Sequence, residues 1–328
     1  DQDPHMIYAQ ANNANRYVDK TIGSSMNRNI DGDGKSQYGS YNYQHNWQTK
    51  GTQQYTSTRF NISANMGHSD GWNSGKASTE TFFPNQEHTF GVKDTYRYKH
   101  NLKPQLEAKL FAYTDSANTI DVKVKASYEK ARKSYEEKSA SYGYQPDQFA
   151  YHSLKEALGA KPGDALYDRL ITRNRNYEST DLQQRGLNIS YIWKHFIGKK
   201  GSFALQGFTN LSGTNEDTHN NRNVEYLREQ RNETLWQFYD RGVHELETQF
   251  GASFDYWLGK KVYLNVFDNV SLNRSRIARD FFSDTDEQNV VGGTPTTADP
   301  ANTTRRLTHK WTNELTVKST ITPVKALM

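Results

Sequence analysis

The stretch Thr119-Ile120-Asp121-Val122-Lys123-Val124-Lys125-Ala126-Ser127-Tyr128-Glu129 decides the fold class of this chain. Apolar residues occupy every second position and charged or polar ones fill the gaps, so one face of an extended strand is oily and the other charged. A helix cannot be amphipathic at that period. The same rhythm returns in Phe60, Ile62, Ala64, Met66; in Leu187, Ile189, Tyr191, Trp193; and in Leu246, Thr248, Phe250, Ala252, Phe254, Tyr256, Leu258. Strands of this kind, repeated over hundreds of residues, need either a second sheet to cover the oil or a lipid bilayer to accept it.

Composition narrows the choice. Over 328 residues only 34% are hydrophobic and the mean hydropathy is -0.97, yet aromatics reach 13%, with 21 Tyr. That is little aliphatic mass for a two-sheet core and too many aromatics for disorder. A transmembrane β-barrel satisfies both conditions, because its interior is wet and only a short outward band must be apolar. The sequence holds no apolar run near 18 residues of the kind a transmembrane helix needs, and it has no Cys, which excludes disulfides and thiolate metal sites. The net charge of +4 is interleaved along the chain, with no basic stripe, so nucleic acid is not an expected partner.

Strands are expected at about 5–13, 37–48, 54–68, 88–114, 119–133, 185–197, 202–217, 244–258, 262–280 and 305–321. The connections alternate in length. Short ones fall around Lys50 and Gly51, at Asp115 to Asn118, at Gly198 to Gly201 and at Gly259 to Lys261, all with turn chemistry. Long ones are expected at about 14–36, 69–87, 134–184, 218–243 and 281–304. In an up-and-down antiparallel sheet every long loop then lies at the same end, the pattern of outer-membrane barrels with tight periplasmic turns and long extracellular loops.

The fourth strand contains Pro104, yet Phe90, Val92, Tyr96, Tyr98, Leu102, Leu106, Ala108, Leu110 and Ala112 keep one phase. It therefore reads as a single long strand whose far end, with Asp94, stands outside the membrane, and Pro104 costs a ladder bond or marks a bulge. Trp47, Trp193, Tyr256 and Tyr263 lie near short turns, where an interfacial girdle would sit. Asp268 is in phase with Val262, Leu264, Val266 and Val270, so a bulge near Phe267 to Asn269, or a local contact, is expected to relieve it.

The Thr79-Glu80-Thr81-Phe82-Phe83-Pro84 segment, the Asn101-Leu102-Lys103-Pro104 stretch, Asp168-Arg169-Leu170, and the Asn-rich and Tyr-rich strand pairs resemble outer-membrane β-barrel proteins related to TonB-dependent receptors. The resemblance covers nearly the whole chain and implies that residues 1–328 are part of one barrel domain in a bacterial outer membrane. It implies substrate intake through a plug and a TonB-type energising complex, neither encoded in these residues. Asp1-Gln2-Asp3-Pro4 is not a secretory signal and Val324 to Met328 is not a terminal aromatic strand, so the chain reads as an internal fragment. Such barrels have about 22 strands. Ten strands are under half of that, so an open, curved sheet is expected.

Motifs for chemistry are absent from the sequence. The ten His residues, among them His5, His45, His68, His100, His195 and His309, form no His-Glu-x-x-His pair, and no nucleophile elbow, phosphate loop or dinucleotide fingerprint occurs. The reading is therefore of a non-enzyme without cofactor or metal. Asn29-x-Asp31-x-Asp33-Gly34 imitates half a calcium loop, but its twelfth position is Ser40 where a bidentate Glu is needed. Leu154 with Leu158, and Leu166 with Leu170, suggest two short helices around Pro162, packed on the longest loop's own surface. Two functional classes follow. One is a transport barrel whose long loops bind or gate an extracellular ligand. The other is a soluble or surface β-rich binding module, an adhesin or glycan binder. Trp72 and Trp236 would serve for stacking in either.

Overall fold

The computed structural model describes residues 16–29, 32–47, 58–82, 88–143, 150–259 and 261–321. Ten strands form one antiparallel sheet: β1 (Arg16–Asn29), β2 (Gly32–Trp47), β3 (Thr58–Phe82), β4 (His88–Tyr113), β5 (Asn118–Tyr142), β6 (Leu170–Ile197), β7 (Gly201–Tyr226), β8 (Arg231–Leu258), β9 (Val262–Asp284) and β12 (Thr304–Ile321). Between β9 and β12 lies the two-residue hairpin β10 (Val290–Val291) and β11 (Thr294–Pro295). The sheet order is β1-β2-β3-β4-β5-β6-β7-β8-β9-β12, an up-and-down meander that does not close. The expected all-β, open antiparallel sheet is what the chain forms.

The pairing of β4 with β5 through the turn after Tyr113 holds as expected. The Asp115 carboxylate builds that turn by accepting from the Ala117 backbone N–H at 2.7 Å and from Asn118 Nδ2 at 2.9 and 2.7 Å. Gly198 and Gly259 supply the left-handed residues of two further turns, with φ of 57° and 70°. Pro104 costs pairing and makes no bulge. Leu102 pairs with Lys130 and Gln105 with Ser127 in one register, and the intervening gap is bridged by the Lys103–Glu129 ion pair at 2.9 Å.

The long loops differ from expectation. Residues 14–36 hold all of β1 and the start of β2, and β3 runs on through 69–82. Within 134–184, β5 continues to Tyr142 and β6 begins at Leu170; 218–243 is the β7–β8 hairpin, turning at 227–230; within 281–304, β9 continues to Asp284. The expected strand at 5–13 lies outside the described residues. Asp33 and Gly34, from the calcium-like segment, are ladder positions in β2. The reason is physical: beyond the oily stretch both faces of these strands meet water, so the two-residue rhythm disappears while the backbone ladder continues. Polar cross-strand pairs support it there, such as Thr180 with Thr218 at 3.1 Å, Asn220 to Gln237 at 3.2 Å and Lys93 with Glu137 at 2.6 Å.

Of the two helices expected around Pro162, the first is α1 (Ala150–Gly159), while the second is a short 3-10 turn, Tyr167–Arg169, and Leu170 opens β6. Nor does α1 pack only on its own loop. Leu154 and Ala157 are buried against Val92, Ala140, Tyr142 and Leu170 at the ends of β4, β5 and β6. This is the principal buried cluster, because the rest of the sheet is a single layer. Among the described residues no helix is long and apolar enough to cross a membrane.

Candidate functional site

Register assigns every side chain to one of two faces, since directly paired residues share a face. On one face Ile62, Ala108, Val124, Ile189, Thr209, Thr248, Leu272 and Trp311 follow one another across eight strands. The next row is Phe60, Leu110, Val122, Tyr191, Gly207, Phe250 and Val270. The apolar run covers Ile120 to Tyr128 on β5 and Val262 to Leu272 on β9. Nine to eleven residues at about 3.4 Å each make a band about 31–37 Å long along the strands, which at the tilt of about 40° typical of membrane barrels would stand about 23–29 Å tall. Large apolar side chains in it stay open, including Met66 (56% exposed), Leu106 (45%), Leu211 (43%) and Phe250 (48%).

The band does not follow the rows. The row through Ala126, near its upper edge on β5, passes Leu187, Leu211 and Leu246 and leaves the band at Arg274 on β9. The row through Ile120, at its lower edge, reaches Asp268 with Val266, Leu264 and Val262 still below. Rows run perpendicular to strands, so an apolar layer that slides along them is level only if the strands are tilted.

Asp268 itself corrects an expectation. The registers of β8 with β9 and of β9 with β12 are continuous past it, so there is no bulge, and its Oδ1 is buried without a hydrogen-bond partner beside Ala252 and Leu315. The expected turn around Lys50 and Gly51 lies outside the described residues; at the end of β2 Trp47 meets His45 edge-on at 4.3 Å, and near the other short turns Trp193 meets Phe203 at 6.0 Å and Tyr263 donates to Asp255 at 2.6 Å. Beyond the band on the same face, one row reads Asp70, His100, Arg132, Asp181, Asp217, Asp240, Asp280. Arg132 pairs with Asp181 at 3.6 Å and Arg305 with Asp280 at 3.1 Å. Burial, then the neighbouring carboxylates of Asp240 and Asp181, raise Asp217 above its ordinary value.

The opposite face is polar and concave. A hollow of about 710 Å³ is lined by Arg97, Lys99, Lys133, Tyr135, Glu178, Thr180, Glu216 and Tyr239, with bare backbone at the facing glycines Gly34 and Gly71. Its lining runs from β2 to β8. Six strand spacings of about 4.8 Å make about 29 Å along the sheet, far wider than the hollow, so the sheet must curl toward this face. Two further hollows, of about 360 and 560 Å³, continue along it.

The 710 Å³ hollow is held by fixed charges. Arg97 lies over the Tyr135 ring at 5.3 Å, Tyr135 donates to Glu137, and Arg241 pairs with Glu216 at 3.5 Å. Burial opposes ionisation of Glu137, but bonds from Lys93 and Tyr135 outweigh it and hold the carboxyl below its ordinary value. Such a wall offers cations, carboxylates and aromatic faces to a polar ligand. Of the two stacking candidates, Trp72 lies at the hollow's border on β3 but pairs directly with Tyr98 and so shares the face of Asp70, and Trp236 lies in β8 on that same face with its indole N–H buried and unpaired. Sequence reasoning placed both in loops and missed the charged lining, whose residues come together only through the register. Neither a family model nor a curated protein sequence matches this chain.

Proposed function

We propose that this chain is part of a bacterial outer-membrane β-barrel of the TonB-dependent-receptor kind, with its apolar face toward lipid and its concave face lining the lumen. The observation that carries the reading is the oblique apolar band, uncovered by any described element and of bilayer height. The turns at 114–117, 198–200 and 259–261 mark the periplasmic side, and the strands rise beyond the band on the other. On β6 the sixteen residues from Leu170 to Arg185 add about 40 Å. The charged and aromatic hollow sits in that outer part and serves as a vestibule for a polar extracellular ligand. Uptake would then be driven through a plug by a TonB-type complex.

The test is where the protein carrying this chain resides. It should fractionate with outer membranes, and its mobility in unheated SDS gels should change on boiling. Recovery as a soluble monomer without detergent would replace this reading with the soluble or surface binding module.

A further inference from the structure

We propose that His68, Asp70 and His100 form a binding site for a divalent transition-metal ion of the zinc class, on the convex face just beyond the apolar band. His68 and Asp70 are two residues apart on β3, so they share a face, and His100 on β4 is the direct cross-strand partner of Asp70. The three side chains thus occupy adjacent corners of one ladder. His68 Nε2 lies 3.3 Å from Asp70 Oδ2, and His100 Nδ1 lies 2.8 Å from Asp70 Oδ1. One ligand atom from each residue falls within 4.8 Å of the others.

Zinc–nitrogen and zinc–oxygen bonds of about 2.0–2.2 Å place tetrahedral ligands about 3.4 Å apart. The two imidazoles approach different oxygens of Asp70, so a carboxylate bound through one oxygen keeps one of these contacts, and the remaining ligand separations, within 4.8 Å, close by up to about 1.4 Å through side-chain rotation. Two imidazoles and one carboxylate leave a fourth position for water. The support around the ligands is also present. The Tyr98 hydroxyl donates to Asp70 Oδ1 at 3.1 Å, and the two imidazole rings stand edge-to-face at 5.0 Å. All three ligand residues are half-buried, so an ion can reach them from solvent. Lys35 and Arg132 flank the row on β2 and β5, and their charge lowers the affinity. The site faces away from the concave hollow. It is separate from the ligand vestibule and does not depend on membrane residence.

The experiment is calorimetric titration of zinc chloride into the metal-stripped, purified complete protein near neutral pH, with cobalt(II) absorption as a report on tetrahedral coordination. One high-affinity zinc site is expected in the unaltered protein. Affinity should fall at least a hundredfold in His68→Ala, His100→Ala and the near-isosteric Asp70→Asn, and about tenfold in Tyr98→Phe, which loses only a supporting bond. Circular dichroism and a cooperative thermal transition establish that each variant folds. If the folded Asp70→Asn and His100→Ala proteins bind zinc as tightly as the parent, or if the parent binds none, the assignment is wrong.

Discussion

The apolar band makes its sharpest prediction at two neighbouring residues of β5. Val124 sits midway along the Ile120 to Tyr128 run, flanked by Ala108 and Ile189. With that face toward lipid, as proposed, Arg introduced there would place a cation near the bilayer midplane at a cost of about 2–4 kcal/mol. Lys123 is one residue away at nearly the same height but on the opposite, polar face. Its Nζ lies 3.6 Å from Glu107, which holds Lys109 at 2.8 Å as well, and Lys109 is the direct cross-strand partner of Lys123. Lys123→Gln therefore loses a weak, shared ion pair and relieves a like-charge contact, a net cost of about 0–0.5 kcal/mol. The difference of about 1.5–4 kcal/mol is a factor of about 10–800 in the folding equilibrium. Tyr177→Arg supplies the depth control, since Tyr177 shares the face of Val124 but lies above the band, and its cost should stay below about 1 kcal/mol. The assay is reversible urea unfolding of the complete barrel in phospholipid vesicles, followed by Trp fluorescence. Equal losses at Val124 and Lys123, a larger loss at Lys123, or a full penalty at Tyr177 would refute the assignment of faces.

Asp268→Leu should stabilise the barrel in vesicles by about 1–2 kcal/mol, because an unpartnered carboxylate oxygen leaves the apolar band; a loss of stability in the same urea assay would mean that the carboxylate is needed. Asp217 has a raised folded-state pKa, so its ionisation opposes folding: the penalty is absent below the unfolded value and fully present above the folded one. Asp217 is exposed, so solvent screening reduces the effect: Asp217→Asn should gain no more than about 0.2–0.5 kcal/mol at neutral pH and nothing in acid, and a gain independent of pH would contradict the cause given. Arg173 donates to the Ala157 and Ala160 carbonyls at 3.2 and 2.8 Å and to Glu225 through Nε at 2.9 Å, so Arg173→Ala should free α1 and speed proteolysis within 143–169 by tenfold or more; unchanged cleavage would show that the apolar cluster alone holds the helix.

What could be read from the sequence follows the physics of the two environments. Inside the band one face is oily, so Ile120 to Tyr128 or Leu246 to Leu258 announce strand, phase and face together. Above it, Arg173-Asn174-Arg175-Asn176 on β6 and His219-Asn220-Asn221-Arg222 on β7 are polar at every position, and nothing in them distinguishes ladder from loop. The turns were legible because Asp115, Gly198 and Gly259 carry local chemistry. The vestibule and the His68–Asp70–His100 corner were not, because both are products of register. Ending β3 near residue 68 left Asp70 in a loop and His100 without a neighbour, whereas the observed pairing of Phe82 with His88 brings Asp70 opposite His100.

Extending the strands rather than the loops also decides how a ligand would meet the outer hollow. The longest connection, 143–169, carries α1, and α1 is fixed to Val92, Ala140 and Arg173, which share the convex face. It cannot cover the concave hollow without giving up those contacts. The other long connection, 285–303, is fastened along β9, where Phe282 bridges to Ala298 and the Asp299 N–H donates to the Phe281 carbonyl at 2.8 Å. The lining residues Arg97, Lys133, Glu178, Glu216 and Tyr239 are ladder positions on five different strands, so their spacing is set by strand separation and not by loop conformation. A ligand bound there, as proposed, would meet a wall whose backbone is already ordered, and binding would cost little in ordering the chain. Selectivity on this face then rests on the placement of fixed charges and rings, and a substitution such as Glu216→Gln acts on ligand charge preference without having to alter the fold.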